Sequence, residues 1–464
     1  MRQPGEVLIV SLYEQGHQPL AAASALAFLE RAGFQPKAVD LAVESRARLL
    51  ELAGGARLVA LSVPMHTALH LGVSAAHALR EHAPRAHRCF YGLYAVLNAA
   101  HLTTTVADSV LGGEAEDSLC ALAAALETDN PLESVPGVGV RGRPPQPVLR
   151  RLNFPAPSRA PLAGLERYSR LLVGGESLPA AAIEASRGCL HRCRHCPIPA
   201  VYAGRFFVVP RDVVLNDVAA LVARGVRHVT FADPDFLNGP RHALGIVREM
   251  HARFPALSFD VTTKIEHVLE QRRVFPELAR AGCLFVVSAV ESLSDAVLGR
   301  LDKGHTAADV REALAILRDA GITLRPSLLP FTPWSTLEDY LELLEWVERE
   351  RLIGCVDPVQ FSIRLLVPPG SLLAETPALQ PWLGPLDPER FSYPWRHPDP
   401  RMDSLQREVS SLVQQAALRS EDAYVTFARI ADAAWLAADP ARPTRHLPAR
   451  TAAEPPRLSE PWFC

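Results

Sequence analysis

Three cysteines lie close together near the middle of the chain, at Cys189, Cys193 and Cys196. Their Cys-x3-Cys-x2-Cys spacing puts three thiolates in one loop, and cysteine thiolates are the usual ligands of iron–sulfur clusters. Three thiolates bind three irons of a cubane [4Fe-4S] cluster and leave the fourth iron open to a substrate. The alternative is a zinc site completed by His191 or His195. Zinc-binding sequences usually supply two separated pairs of ligands, and no second pair is near in this sequence.

Two lysines are further candidates for chemistry. The chain has 48 basic residues, of which only Lys37, Lys264 and Lys303 are lysines. A lysine therefore marks a position where a compact ammonium group is preferred over a guanidinium group. Lys264 follows a predicted strand, and Lys303 lies in the stretch LDKGHT. We predict that both are catalytic, either by binding a carboxylate or by transferring protons.

The cysteines must be positioned by the elements around them. Between residues 176 and 375, six strand-like segments alternate with segments of helical period, two repeats short of a closed eightfold barrel. The cysteine stretch follows the first of these strands, near residues 182–186. Because a β/α barrel carries its chemistry at the carboxyl ends of its strands, this position is where an active site is expected.

The residues before this core predict a second unit. Strand and helix patterns alternate over residues 1–128, which indicates a Rossmann-like parallel sheet. Ligands bind such sheets at the carboxyl ends of the strands. The segments expected there include the one that begins at Tyr13 and the stretch LGGEAED, with Gly112, Gly113 and Glu114.

The remaining segments complete the predicted α/β architecture. Residues 129–175 are rich in Pro, Arg and Gly and are interpreted as a linker or an irregular strap between the two units. Residues 376–464 are Pro-rich, then helical, and end in a polar tail. The prediction is thus a Rossmann-like sheet, a partial TIM-like barrel of six β/α repeats and a helical C-terminal extension.

Composition excludes several classes of protein. The formal net charge of −3 provides no general nucleic-acid surface, and no apolar run is long enough to cross a bilayer. The other five cysteines are isolated, which is not typical of a disulfide framework. The chain begins without a basic and then apolar leader. We therefore expect a cytoplasmic protein that binds neither nucleic acid nor membrane.

The cysteine motif in its β/α context resembles the radical S-adenosylmethionine (SAM) superfamily, over about residues 181–370. The resemblance implies a [4Fe-4S] cluster whose open iron chelates SAM, and reductive cleavage of a carbon–sulfur bond of SAM. It also implies an electron donor such as flavodoxin or ferredoxin, and a small-molecule substrate. His195 departs from the family pattern, which usually has an aromatic residue at that position.

The same resemblance suggests residues that contact SAM. In the stretch FADPDF, Asp233 and Asp235 stand where the family meets the SAM amino group. In SAVES, Glu291 and Ser292 resemble a polar pair near the ribose and methionine end of SAM.

The N-terminal unit resembles the cobalamin-binding domain of one large branch of the superfamily. This likeness implies cobalamin as an additional cofactor and Tyr13, Gly112, Gly113 and Glu114 as residues that contact it. The Asp-x-His-x-x-Gly motif of other cobalamin proteins is missing. The alternative is therefore a domain that keeps the fold without the cofactor.

Over its whole length the chain is similar to bacterial radical SAM proteins named for a Cys-Cys-Ala-Glu-Pro or Cys-selenocysteine-Ala-Glu-Pro tail. The carrying stretches include YEQGHQPLAAASA, EASRGCLHRCRHCP and LSEPWFC, the last at 458–464. This likeness predicts selenocysteine after Cys464 and makes Cys464 a candidate catalytic residue.

Three reactions stay open for a radical SAM enzyme of this kind. They are cobalamin-dependent methyl transfer, transfer of the 3-amino-3-carboxypropyl group of SAM to trivalent arsenic, and hydrogen abstraction by a 5′-deoxyadenosyl radical. A non-catalytic zinc or redox-binding protein is the alternative from a different class. The substrate and the oligomeric state are left open.

Overall fold

A computed structural model describes residues 1–439, 441, 448, 450 and 454–460. Its N-terminal part is a parallel sheet of five strands covered by helices on both faces. The strands are β1 (Val7–Ser11), β2 (Lys37–Asp40), β3 (Leu58–Ser62), β4 (His87–Tyr91) and β5 (Ser109–Leu111). The helices are α1 (Leu20–Arg31), α2 (Arg46–Ala53), α3 (His66–His82), α4 (Leu93–Leu97), α5 (Ala99–Thr105) and α6 (Glu116–Thr128).

The strand order in this sheet is β2-β1-β3-β4-β5, and all four pairings are parallel. Every residue of β1 and β3 is buried, as expected for central strands covered on both faces. The predicted Rossmann-like architecture is confirmed. Helices α2, α4 and α5 are additional to the predicted elements, since they are short and carry little amphipathic signal.

Residues 129–175 are a packed strap that runs along the N-terminal sheet and contacts it. The strap forms single bridges from Gly139 to Val110 and from Val148 to Gly113. It also buries apolar side chains such as Val138 and Phe154. The strap ends in a strand of the second sheet, so the predicted linker contributes to both units.

The second unit is a curled sheet with the strand order β13-β12-β11-β10-β7-β6-β14. Its strands, together with the separate antiparallel pair β8 and β9, are β6 (Arg170–Val173), β7 (Glu176–Ile183), β8 (Ser186–Gly188), β9 (Phe206–Val208), β10 (His228–Phe231), β11 (Ser258–Thr262), β12 (Cys283–Glu291), β13 (Thr323–Leu328) and β14 (Arg457–Leu458). Its helices are α7 (Ile198–Tyr202), α8 (Arg211–Ala223), α9 (Pro240–Arg253), α10 (Ile265–Glu270), α11 (Phe275–Arg280), α12 (Asp295–Leu301), α13 (Ala307–Asp319) and α14 (Leu337–Arg349).

Five strands of this sheet are parallel, β7 and β10 to β13, whereas six were predicted. The sixth predicted segment, 359–367, begins within the 3-10 helix Pro358–Ser362 and pairs with the sheet through a single parallel bridge between Arg364 and Phe331. Prolines at 358, 368 and 369 flank the segment and lack the N–H group that a strand must donate. The barrel is therefore an open half-barrel.

Helices α15 (Pro400–Leu418) and α16 (Ala423–Ala438) form the C-terminal extension. They pack on each other and on the end of the half-barrel, with Val409 and Phe427 fully buried. The helical extension is confirmed. No helix in the described ranges is long and apolar enough to cross a membrane.

After these helices the chain returns to the second sheet, where β14 pairs antiparallel with β6. The tail is described as far as Glu460, so Cys464 lies outside the described residues.

Candidate functional site

A cavity of about 980 Å³ lies between the carboxyl ends of the two sheets. The N-terminal unit contributes the loops that follow β1, β3 and β4, including Glu14, His66 and Tyr94. The half-barrel contributes strand ends and the whole cysteine loop. Leu458 and Glu460, from the C-terminal tail, complete the lining. One space therefore joins the cysteines to the ligand-binding edge of the Rossmann-like sheet.

The cysteine loop connects β8 to α7 and lies at the wall of this cavity. Gly188, immediately before Cys189, adopts a φ of +75°, and a side chain there would meet the carbonyl oxygen of Arg205 at 2.4 Å. Glycine is thus required where the loop leaves β8. Cys189 and Cys193 are buried and Cys196 is half-buried.

The spacing of the sulfur atoms distinguishes the two metal sites considered for the loop. In the described chain, the three sulfurs do not all lie within 4.8 Å of one another. A tetrahedral zinc ion would hold its thiolates about 3.8 Å apart, since each Zn–S bond is about 2.3 Å. The sulfur atoms are therefore not arranged as in a preformed tetrahedral zinc site. His191 and His195 contact other side chains, as described below.

Burial opposes ionisation of these thiols. It raises the pKa of Cys196 to about 12 and also raises the pKa of Cys189 above its usual range. A bound metal reverses this preference, because a coordinated thiol loses its proton. Lys303 lines the same cavity, and its ammonium group lowers the pKa of Cys196, though by less than burial raises it.

Lys303 is held by Glu291, and both side chains are buried. Its Nζ lies 3.2 Å from Oε1 of Glu291, which also lies 3.2 Å from Nε2 of His195. Burial raises the pKa of Glu291, but Lys303 and His195 together lower it to about 2. Glu291 has a φ of +62°, a left-handed conformation that costs a non-glycine residue about 1–2 kcal/mol. The site thus contains a strained, ionised carboxylate beside the cysteines.

Ser292, the second member of the predicted polar pair, is also buried. Its hydroxyl accepts a hydrogen bond of 3.0 Å from the backbone N–H of Ser294, just before α12. The structure therefore gives Ser292 a role in the turn that follows Glu291.

Asp233 and Asp235 are both buried after β10, but they have different partners. Asp233 accepts hydrogen bonds from the backbone N–H of Ala185 at 2.9 Å and from the hydroxyl of Ser186 at 2.6 Å. It therefore fixes the start of the cysteine loop. Burial raises the pKa of Asp233 to about 7.

Asp235 belongs to a compact polar cluster with His191, Lys264 and His267. Its Oδ1 accepts a hydrogen bond of 2.7 Å from Thr263, and its Oδ2 lies 2.9 Å from Nδ1 of His267. Nε2 of His267 is 3.3 Å from Nε2 of His191, and Nδ1 of His191 is 3.0 Å from Nζ of Lys264. Lys264 and Lys303 both line the cavity, as their predicted roles require.

The glycines predicted to approach a cofactor are explained by protein packing. A Cβ on Gly112 would lie 1.8 Å from Cγ2 of Val96, and one on Gly113 would lie 2.3 Å from the carbonyl oxygen of Val148. Gly113 also lines the cavity. Tyr13 donates a hydrogen bond of 3.1 Å to Glu460 and so contacts the C-terminal tail.

Glu114 joins the two units. It is fully buried and accepts a hydrogen bond of 2.9 Å from the hydroxyl of Tyr202, which lies in α7 just after the cysteine loop. Its Oε2 is 3.5 Å from Nη1 of Arg187. Burial raises the pKa of Glu114 to about 7, although Arg187 opposes that rise.

Arg187 was not predicted from the sequence as a functional residue. It donates to Glu116 at 2.5 Å and to Glu184 at 2.6 Å, so one guanidinium group serves three carboxylates. Arg187 is two residues before Cys189. Its position in the motif RGC was the available signal, but spacing alone does not identify distant partners.

Part of the chain is similar to known proteins. Residues 183–347 match the Radical SAM superfamily. Ribosomal protein uS12 methylthiotransferase RimO of Geotalea uraniireducens is 30% identical over 37% of this chain and 40% of its own length. The chain also spans 61% of the length of the anaerobic magnesium-protoporphyrin IX monomethyl ester cyclase of Synechocystis sp., to which it is 24% identical.

Two solved structures share the fold over more of the chain. The cobalamin-dependent SAM radical enzyme OxsB, with aqua-cobalamin bound, superposes with a TM-score of 0.73 at 14% identity, over 93% of this chain and 72% of that one. The radical SAM methyltransferase TsrM of Kitasatospora setae gives 0.60 at 19% identity, over 74% and 71%. The fold is thus that of cobalamin-dependent radical SAM enzymes. Residues 183–347 form a radical SAM domain.

Proposed function

We propose that this chain is a radical SAM enzyme that modifies a small molecule inside the cavity between its two units. Cys189, Cys193 and Cys196 would hold a [4Fe-4S] cluster, and SAM would bind the open iron. One observation carries the proposal: a single cavity contains the cysteines, the polar strand ends of the half-barrel and the ligand-binding edge of the Rossmann-like sheet.

The residues around the cysteines fit these cofactors. Three thiols in one loop match a cluster that has one open iron. The chemistry supplied by a bound, reduced cluster is one-electron cleavage of a carbon–sulfur bond of SAM. Glu291 offers an ionised carboxylate that could accept hydrogen bonds from SAM, while its contact with Lys303 keeps it ionised. We propose that Lys264 binds an acidic group of a ligand or moves a proton at Nζ.

We further propose that cobalamin occupies the part of the cavity beside the N-terminal sheet. Support comes from the loops after β1, β3 and β4, which line the cavity, and from the solved structures with the same fold. Nε2 of His66 in this region lies 2.9 Å from the carbonyl oxygen of Arg390. This ring nitrogen is therefore engaged, in keeping with the missing histidine motif.

The leading reaction is cobalamin-dependent methyl transfer to a carbon atom of the substrate. Hydrogen abstraction by a 5′-deoxyadenosyl radical would use the same residues. The products formed from SAM distinguish this reaction from methyl transfer.

A second candidate is transfer of the 3-amino-3-carboxypropyl group of SAM to trivalent arsenic, with Cys464 as a soft ligand. It is supported by the C-terminal tail, whose Leu458 and Glu460 line the cavity six and four residues before Cys464. A single thiol binds trivalent arsenic weakly, so this reaction depends on a second chalcogen ligand. The predicted selenocysteine would supply it.

The test is anaerobic reconstitution with iron and sulfide, followed by analysis of SAM products with and without cobalamin and arsenite. Methyl transfer to an unactivated carbon predicts S-adenosylhomocysteine from the SAM that supplies the methyl group, together with 5′-deoxyadenosine from the SAM that removes the hydrogen atom of the acceptor carbon. Hydrogen abstraction without methyl transfer predicts 5′-deoxyadenosine alone. The arsenic reaction predicts 5′-methylthioadenosine that depends on arsenite.

The matched variants are Cys193→Ser, expected to lose the cluster iron and SAM cleavage, and Cys120→Ser, expected to keep both because Cys120 lies in α6 outside the cavity. A reconstituted protein that binds zinc in place of iron and cleaves no SAM would refute the proposal.

A further inference from the structure

A second group of metal-binding side chains lies beside the cysteine loop. His191 comes from the loop itself, Asp235 follows β10 and His267 is in α10. Their nitrogen and oxygen atoms all lie within 4.8 Å of one another. Three separate segments of the chain therefore converge on one point.

The distances at this point match those between the ligands of a metal ion. Oδ2 of Asp235 is 2.9 Å from Nδ1 of His267 and 3.5 Å from Nε2 of His191. Two ligands at about 2.0–2.1 Å from a tetrahedral zinc ion lie about 3.3 Å apart. The observed distances bracket this value.

The hydrogen bonds of Asp235 leave its Oδ2 atom directed at the imidazole rings of His267 and His191. Asp235 is 1% exposed, and its Oδ1 accepts from Thr263 and from the backbone N–H of Leu237. Oδ2 makes no hydrogen bond of normal geometry within the described chain, and neither does Nδ1 of His267. The two atoms face each other at 2.9 Å, so Oδ2 pairs with His267 only when that imidazole carries a proton on Nδ1. A divalent cation between the two atoms would take the place of that proton and pair with both.

We propose that His191, Asp235 and His267 bind one divalent first-row transition-metal ion, Zn²⁺ or Fe²⁺, separate from the cluster. Two imidazoles and one carboxylate are a common ligand set for both ions and leave coordination positions open. Because His191 and Asp235 line the cavity, an open position faces the space where ligands bind. The ion would therefore hold an oxygen ligand of the substrate or a water molecule next to the cysteines.

Neighbouring charges are compatible with a cation. Glu266 lies 3.5 Å from Nδ1 of His191 and is itself paired with Lys264 at 2.8 Å. Asp235, Glu266 and Lys264 together carry one net negative charge. Nδ1 of His191 also lies 3.0 Å from Nζ of Lys264. A metal ion on Nε2 leaves the ring proton on Nδ1, so Nδ1 would donate to Glu266, as carboxylates beside metal-binding imidazoles commonly accept, and Lys264 would keep only its contact with Glu266.

Oδ2 of Asp235 cannot bind both the metal ion and the amino group of SAM. The metal site is therefore an alternative to the SAM contact that the sequence predicts for Asp235. The metal site shares its loop with the cysteines through His191 but uses none of their sulfur atoms, so it does not require the proposed function.

The test measures metal content in the reconstituted full chain after zinc is added and excess zinc removed. We expect about four irons and about one zinc per chain. Asp235→Asn and His267→Gln should keep the iron and lose the zinc. The matched control is His228→Gln, which removes another buried histidine of the same half-barrel, paired with Asp260 at 2.9 Å.

A second measurement uses Co²⁺ in the triple variant in which all three cysteines are changed to serine. We expect d–d bands of tetrahedral or five-coordinate cobalt without a thiolate charge-transfer band, and loss of these bands when His267→Gln is added. Zinc content that is equal in the wild type and both ligand variants would overturn the site, as would cobalt binding that requires the cysteines. If the variants do not fold, anomalous scattering at the zinc edge from wild-type crystals decides whether an ion lies between the three side chains. Absence of SAM cleavage with unchanged metal content would count against the proposed function alone.

Discussion

Replacing Arg187 with methionine should weaken the connection between the two units at the start of the cysteine loop. The guanidinium group donates to Glu116 and Glu184, lies 3.5 Å from Glu114, and also donates to the hydroxyl of Ser24 at 3.0 Å. Its side chain is 14% exposed, and that of Glu114 is fully buried. Methionine keeps much of the length of the side chain but leaves three carboxylates facing one another.

The expected loss follows from the burial of these charges. Removing one partner of a buried ion pair costs about 3–5 kcal/mol, because the remaining charge is left uncompensated. At about 2 °C per kcal/mol for a large domain, the melting temperature should fall by about 6–10 °C. Glu114 adds a dependence on pH.

Because burial raises the pKa of Glu114 to about 7, its carboxylate is mostly protonated at pH 6 and mostly ionised at pH 8. The guanidinium group stabilises only the ionised form. The variant should therefore lose more stability at pH 8 than at pH 6.

The assay is thermal unfolding of the wild type and the variant at both pH values. Arg248→Met is the matched control, since Arg248 pairs with Glu277 on the surface and is 63% exposed. Exposed pairs contribute little, so its melting temperature should stay almost unchanged. If Arg187→Met lowers the melting temperature no more than Arg248→Met, Arg187 does not join the units as argued. A loss that is equal at pH 6 and pH 8 would exclude Glu114 from the explanation.

Three further predictions concern the cavity wall and the tail. Glu14 accepts hydrogen bonds from two backbone N–H groups at the start of α1, and burial raises its pKa to about 7 from an ordinary 4.5. Its contribution to the free energy of unfolding is therefore complete below pH 4.5 and is lost as the pH rises through 7. Glu14→Gln should remove up to about 3 kcal/mol of this decline, visible as a flatter profile of melting temperature against pH; an unchanged profile would contradict it. Lys303→Met should destabilise the protein by about 3 kcal/mol, because it leaves the buried Glu291 carboxylate with His195 as its remaining partner at 3.2 Å. Adding Glu291→Gln should restore part of that loss in thermal unfolding, and additive losses would show that the pair is not coupled. Ser459→Ala removes the hydroxyl that accepts a hydrogen bond of 2.9 Å from the backbone N–H of Arg170. One such bond contributes about 1 kcal/mol, so limited proteolysis should release the C-terminal tail about fivefold faster. An unchanged rate would mean that the bond does not hold the tail.

Much of the architecture was predictable because it depends on local patterns. The alternation of buried strands with amphipathic helices predicted all five strands of the first sheet and their parallel arrangement. The same reasoning overestimated the half-barrel, because residues 359–367 are apolar enough for a strand although prolines limit their pairing. For residues 129–175 it predicted only a linker or an irregular strap, since irregular segments with buried side chains such as Phe154 have no periodic signal.

The sequence by itself determined the cluster-binding loop. The three cysteines are neighbours along the chain, so their spacing alone brings the sulfurs into one site, whatever surrounds them. Only the tertiary structure decided the partners of the other polar residues. Arg187 meets Glu114 across two units, and Asp235 meets His267 and His191 from different segments. These contacts depend on distances between segments far apart in sequence, and the packing of the two sheets sets those distances.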